Sequence, residues 1–175
     1  EILIPLFAQL DLPLKSGIEQ QLNIQDIVYI LKYAFQAGET EQIFFGKSKG
    51  FSIISHLLCS ISTKHISYKL YILFFEIFEI ITSEEAKKDL FLQILLNVEI
   101  WICTSNKDHL DIISHWINYL FPMYSSFFTE NMSFIHILDI MKIYYWYVPC
   151  NLNEIRGYTD RERNKEINIK ECRRL

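Results

Sequence analysis

Glu76 and Glu79 are the first residues whose type and spacing could do chemistry, because two carboxylates one helical turn apart can divide general acid and base work between them. At that spacing they also fall on the polar stripe that Lys69, Glu76 and Ser83 draw along an otherwise apolar cylinder. Keeping that stripe wet accounts for both carboxylates without a reaction. Five histidines could bind zinc or carry protons: His56, His65, His109, His115 and His136. No two of them stand four apart, and none is set against a cysteine at zinc-finger spacing. His115, on a polar stripe beside Trp116, reads as an exposed helix histidine. The run Gly46-Lys47-Ser48-Lys49-Gly50 echoes a phosphate loop, but the upstream glycine is missing and the residues before Gly46 look helical. No hydrolase elbow of the Gly-x-Ser-x-Gly type occurs either. The expectation is a non-enzymatic chain with no catalytic, cofactor-binding or metal-ligating residue and no cofactor.

The remaining chemical signals are equally sparse. Cys59, Cys103, Cys150 and Cys172 stand far apart without Cys-x-x-Cys spacing, and three of them sit in apolar or helical surroundings, where a thiol packs as a small hydrophobe. That pattern fits a reducing, intracellular compartment. The sequon Asn131-Met132-Ser133 has no signal peptide before it and reads as a helix cap supplied by Asn131 or Ser133. The first residue is Glu1, which reads as a piece of a longer protein. A formal net charge of −4 counts against nucleic acid as a partner, since that affinity comes from clustered Lys and Arg. The one dense basic group includes Arg156, Arg161, Arg163, Lys165, Lys170, Arg173 and Arg174. Glu154, Asp160, Glu162, Glu166 and Glu171 are interleaved with it, so the segment compensates itself. The most apolar stretch, residues 70–81, is interrupted by Glu76 and Glu79 and falls short of the ~20 residues that span a bilayer.

Half of the residues are hydrophobic and only five are glycine, so the chain should fold around a sizeable core. Its apolar residues recur at helical spacing. Asn23 caps a first helix in which Ile27, Leu31, Ala34 and Phe35 share a face and Gly38 ends the run. A short helix over residues 40–45 ends at Gly46, and Ile54, Leu57, Leu58 and Ile61 form the stripe of the next. Ser62 or Thr63 is placed to cap the longest helix, running to about Thr82, and Ser83 starts another that breaks at Asn97. Thr104 or Ser105 caps a helix with Ile113, Trp116, Ile117 and Leu120 on the inner face and Asp108, Asp111, His115 and Asn118 outside. Pro122 interrupts it near its end. The last strong helix covers residues 131–147, with Phe134, Leu138, Met141 and Tyr145 on one stripe and Pro149 as its stop.

Trp101 and Trp116 are expected to be structural anchors in the core. The cluster Tyr144, Tyr145, Trp146 and Tyr147 is too wide to face inward on every side, which makes it the candidate partner surface. Wide apolar faces joined by short loops predict an all-α fold, an armadillo/HEAT-like α-solenoid of stacked antiparallel helix pairs, although no fixed repeat period is visible.

Three segments carry a resemblance. Gly50-Phe51-Ser52-Ile53-Ile54 enters a helix, Leu95-Leu96-Asn97-Val98-Glu99-Ile100-Trp101-Ile102-Cys103-Thr104 leads into another, and Leu138-Asp139-Ile140-Met141-Lys142-Ile143-Tyr144-Tyr145-Trp146 follows. Their order and aromatic content resemble the armadillo-like helical region of the neurobeachin and LRBA group of BEACH-domain proteins, from about Ile24 to Val148, with Val98 and Ser105 where prolines are usual. The resemblance implies an internal segment of a very large cytoplasmic scaffold in vesicle and membrane-protein trafficking. Such a segment offers docking surface to other proteins and meets endomembranes only indirectly through its parent. The domain expectation is an N-terminal extended segment or the end of a preceding element over 1–22, and an armadillo-like domain over 23–149. A charged flexible loop over 150–165 and the start of a further, cut-off helix over 166–175 complete it. The alternative is a peripheral membrane module that touches lipid through exposed aromatics and the basic C-terminal residues.

Overall fold

A computed structural model describes residues 23–146 and 160–172, and every regular element among them is a helix. The first begins as its cap dictates: Asn23 is extended, and its Oδ1 accepts from the amide of Gln25 at 3.1 Å. Helix α1 (Ile24–Ala37) buries Ile24, Ile27, Val28, Leu31 and Phe35 on one face. Next come α2 (Glu39–Lys47) and α3 (Gly50–Ser60), then α4 (Tyr68–Ile80). Helix α5 (Glu84–Leu90) runs on into a π turn (Phe91–Leu95), and the short α6 (Val98–Trp101) follows. The chain divides into two compact units, Glu1–Ile100 and Trp101–Leu175, so the boundary falls within α6 and inside the segment read from sequence as one helical domain.

In the first unit α1 packs on α4, and α2 packs on α5. These two helices each lie against the third one after them, as in an armadillo-like stack. The rings of Phe35, Phe45 and Phe51 meet edge to face with centroids 4.9 to 5.8 Å apart, joining α1, α2 and α3. Both glycines of the phosphate-loop echo serve this packing. Gly46 lies inside α2, where a Cβ would sit 2.9 Å from the backbone nitrogen of Ala86 in α5. Gly50 opens α3 against the Phe45 ring, after Lys49 has turned the chain at a φ of 53°.

Helix α4 starts later than its sequence indicates. Thr63–His65 forms a 3-10 turn, Ile66 is buried in extended backbone, and Ser67 is the cap, accepting from the Leu70 amide at 3.3 Å. The helix also ends early, because the amides of Thr82 and Ser83 are drawn to the buried side chain of Gln42. Gln42 Oε1 accepts from Thr82 N at 2.9 Å, Thr82 Oγ1 at 3.1 Å and Ser83 N at 3.3 Å, while its Nε2 donates to the Phe35 carbonyl at 2.9 Å. One side chain therefore closes the end of α1 and the start of α5.

The second unit contains α7 (Asn106–His115), which continues through a π turn (Trp116–Leu120) and a last turn (Phe121–Met123). The helix passes through Pro122 and ends after Met123. Next, α8 (Ser125–Asn131) was not foreseen. Helix α9 (Phe134–Ile140) begins at the Ser133 cap and runs into a third π turn (Met141–Trp146). Helix α10 (Asp160–Cys172) packs against α7 and the π turn after α9. It takes in residues 160–165, which the charge pattern had assigned to a loop; residues 1–22 and 147–159 lie outside the described part.

The inner face of α7 also differs from expectation. His109, Ile112, His115, Trp116 and Leu120 are buried, whereas Ile113 is half-buried and Ile117 is 60% exposed. A π turn inserts one extra residue per turn, which carries Leu120 back to the inner face and leaves Ile117 outside. His115 is therefore a core residue, stacked on Tyr119 at 5.3 Å, and not an exposed one.

Two glycine substitutions should separate packing from backbone effects. Gly46→Ala must push α2 off the α5 backbone and should cost about 1 to 3 kcal/mol in urea unfolding. Gly38→Ala should be nearly neutral, since its Cβ would meet only the flexible carboxylate of Glu41. Gln42→Leu, which strands buried groups at two helix ends, should cost on the order of 3 kcal/mol.

Candidate functional site

The aromatic cluster at the end of α9 is built from the Ser133 cap, whose Oγ accepts from the His136 amide at 3.2 Å. From there the stripe turns to solvent: Phe134 is 71% exposed, Leu138 47% and Met141 52%, with Ile135 beside it at 70%. Tyr145 belongs to the same stripe by α-helical counting, but the π turn rotates it away from its former neighbours and into the unit. The outward residues therefore form an apolar strip, edged by Asp139 and Lys142.

Tyr144 and Tyr145 are both half-buried. The Lys165 ammonium lies over the Tyr144 ring, 5.3 Å from its centroid. Tyr145 stacks on His109 with centroids 6.1 Å apart, and its hydroxyl is 3.2 Å from His109 Nε2. The side chain of Trp146 and all of Tyr147 lie outside the described residues.

His109 is the polar centre of this unit, and sequence reasoning passed over it. Its Nδ1 is 3.1 Å from the Trp101 carbonyl, which can only accept, so Nδ1 carries the proton and Nε2 accepts from Tyr145. Burial pushes its pKa down to about 4, with the Trp101 hydrogen bond opposing. Burial lowers the His115 pKa in the same sense. The only sequence hint was that His109 falls one turn before Ile112 and two before Trp116.

Trp101 and Trp116 are buried, and the turn after Trp101 is fastened by amide side chains. Asn168 Nδ2 donates to the carbonyls of Ile102 and Thr104 at 2.8 and 2.9 Å, and Asn164 Nδ2 donates to Cys103 at 3.1 Å. Thr104 Oγ1 closes back on the Trp101 carbonyl at 2.7 Å. Neither position that departs from the prolines of the family pattern disturbs this turn: Val98 opens α6, and Ser105 caps α7 through the Asp108 amide at 3.2 Å.

The groups weighed for catalysis are dispersed. Glu76 pairs with Lys32 across α1 and α4 at 2.8 Å, which raises the Lys32 pKa, while Glu79 is exposed. Among the described residues no three His, Cys, Asp or Glu side chains gather as metal ligands, and no helix is long and apolar enough to cross a membrane. Asn168→Asp would aim a buried carboxylate at two carbonyls. It should destabilise the chain by on the order of 3 kcal/mol in urea unfolding, far more than Asn118→Asp on the exposed side of α7.

Comparison with known proteins bears on the whole chain. The family model described as Neurobeachin/BDCP, DUF4704 alpha solenoid region matches residues 1–175. No curated protein and no solved structure matches. With that match and with α1 stacked on α4 and α2 on α5, the chain is an α-solenoid and belongs to the neurobeachin/BDCP family.

Proposed function

We propose that this solenoid region is a non-catalytic scaffold that offers a protein-docking surface within a large BEACH-type parent engaged in vesicle and membrane trafficking. The observation that carries the reading is the apolar strip of Phe134, Ile135, Leu138 and Met141, exposed on a helix that is capped and held in place from its other side. Apolar faces in this chain are dried by other helices, so the partner that fits is an apolar face of a protein helix. Trp146 and Tyr147 remain candidate partner residues read from the sequence alone. Tyr144 and Tyr145 support the strip from behind. The wide spacing of the four cysteines fits a reducing compartment such as the cytoplasm.

The test is affinity capture with the parent protein carrying Leu138→Asp and Met141→Asp, compared with wild type and with Trp146→Ala and Tyr147→Ala. Because both strip residues are exposed, circular dichroism should be unchanged while specific partners fall at least about tenfold, the equivalent of ~1.4 kcal/mol. Undiminished recovery in every variant would end the docking reading. Flotation with anionic vesicles at low salt separates it from the lipid-contact alternative, which the net charge of −4 disfavours.

A further inference from the structure

Helix α9 buries no side chain completely among its described residues and meets the rest of its unit through half-buried ones. Elements held in this way open more readily than core helices do. One of its ties runs to a dry imidazole: Tyr145 Oη donates to Nε2 of His109 at 3.2 Å, and Nδ1 of the same ring donates to the Trp101 carbonyl at 3.1 Å. Only a neutral ring can serve both partners, because imidazolium has two donors and no acceptor. A proton on Nε2 removes what Tyr145 donates to and leaves a charge in a site with no exposed surface.

We propose that Tyr145 and His109 form an acid-sensitive latch, which keeps α9 docked at neutral pH and lets it swing free in mild acid. The groups around the ring do not relieve the charge. Burial is the dominant influence on His109, opposed by the Trp101 carbonyl. The titratable and charged groups on the elements packed about it are Lys107, Asp108 and Asp111 on its own helix, His136, Asp139 and Lys142 on α9, and Glu162, Lys165 and Glu166 on α10. From the 101–104 turn the Trp101 carbonyl meets the ring. Burial also lowers the pKa of His115, which stacks on Tyr119 of its own helix.

With α9 released, the ring regains an ordinary pKa of 6.5, against about 4 when latched. Between those values the open form binds more protons than the closed one. Release therefore grows as pH falls through that window and levels off below about 4. At about pH 5 the open population should be ~30-fold larger than at neutral pH.

Amide hydrogen exchange on the whole 175-residue chain, corrected for the intrinsic rate at each pH, reads this directly. Protection over residues 134–146 should drop ~30-fold from about pH 7.5 to about pH 5 while α1 and α4 keep theirs. In His109→Gln that drop should vanish. A uniform loss across all helices, an unchanged α9, or the full wild-type drop in His109→Gln would each overturn the latch. Should His109→Gln fail to fold, Tyr145→Phe keeps the ring stack and loses only the donor. Its α9 protection at about pH 7.5 should already be roughly 5-fold below wild type, and equal protection would overturn the proposal.

Discussion

A helix leaves amides without partners at its start and carbonyls without partners at its end, and stacking helices removes the water that would otherwise satisfy them. Everything else in this chain depends on how those ends are closed. In the first unit Gln42 reaches from the middle of α2 to the Phe35 carbonyl on one side and to the amides of Thr82 and Ser83 on the other. In the second, Asn164 and Asn168, one turn apart on α10, take the three successive carbonyls of Ile102, Cys103 and Thr104. An amide side chain suits the task because it donates and accepts without carrying charge into a dry interior. These contacts decide where α4 stops, where α5 starts and why a charge-rich segment is helical from Asp160.

The second recurring device is the π turn. It appears at Phe91, Trp116 and Met141, evenly spaced along the chain, each time where an α-helix runs on into a large apolar residue. At the first of them the Leu96 amide reaches the Phe91 carbonyl at 3.0 Å, five residues back. The extra residue per turn reassigns the faces downstream of it. It returns Leu120 to the core of its unit, exposes Ile117, and takes Tyr145 off the stripe that Phe134, Leu138 and Met141 present to solvent. One hydrogen-bond shift thus produces an exposed apolar strip and a half-buried tyrosine on the same helix.

That division of labour shapes the functional reading. The strip of α9 is available because its helix is held from behind, by Tyr145 on His109 and by Lys165 over Tyr144. The exposed apolar strip and its support thus sit on consecutive turns. Anything that weakens the support changes how the surface is presented. The buried histidine is the one group in the support whose charge state acid can change.

Much of this was legible in the residues themselves. Local rules placed Asn23 at a helix start, offered Ser105 beside Thr104 and Ser133 beside Asn131 as caps, and put Asn97 at a break, since a cap needs only a short polar side chain and its neighbouring amides. Apolar recurrence identified the helices and their stacked class, and the motifs Leu95 to Thr104 and Leu138 to Trp146 pointed to the family. Periodicity could not say which apolar face would find a neighbour, because burial belongs to pairs of elements far apart in the chain. Hence His115 was assigned to solvent. Gln42, His109 and Asn168 were silent for the same reason. Nothing within a few residues of a glutamine, a histidine or an asparagine reveals that helix ends dozens of residues away will converge on it, and only the folded chain brings those partners within hydrogen-bond reach.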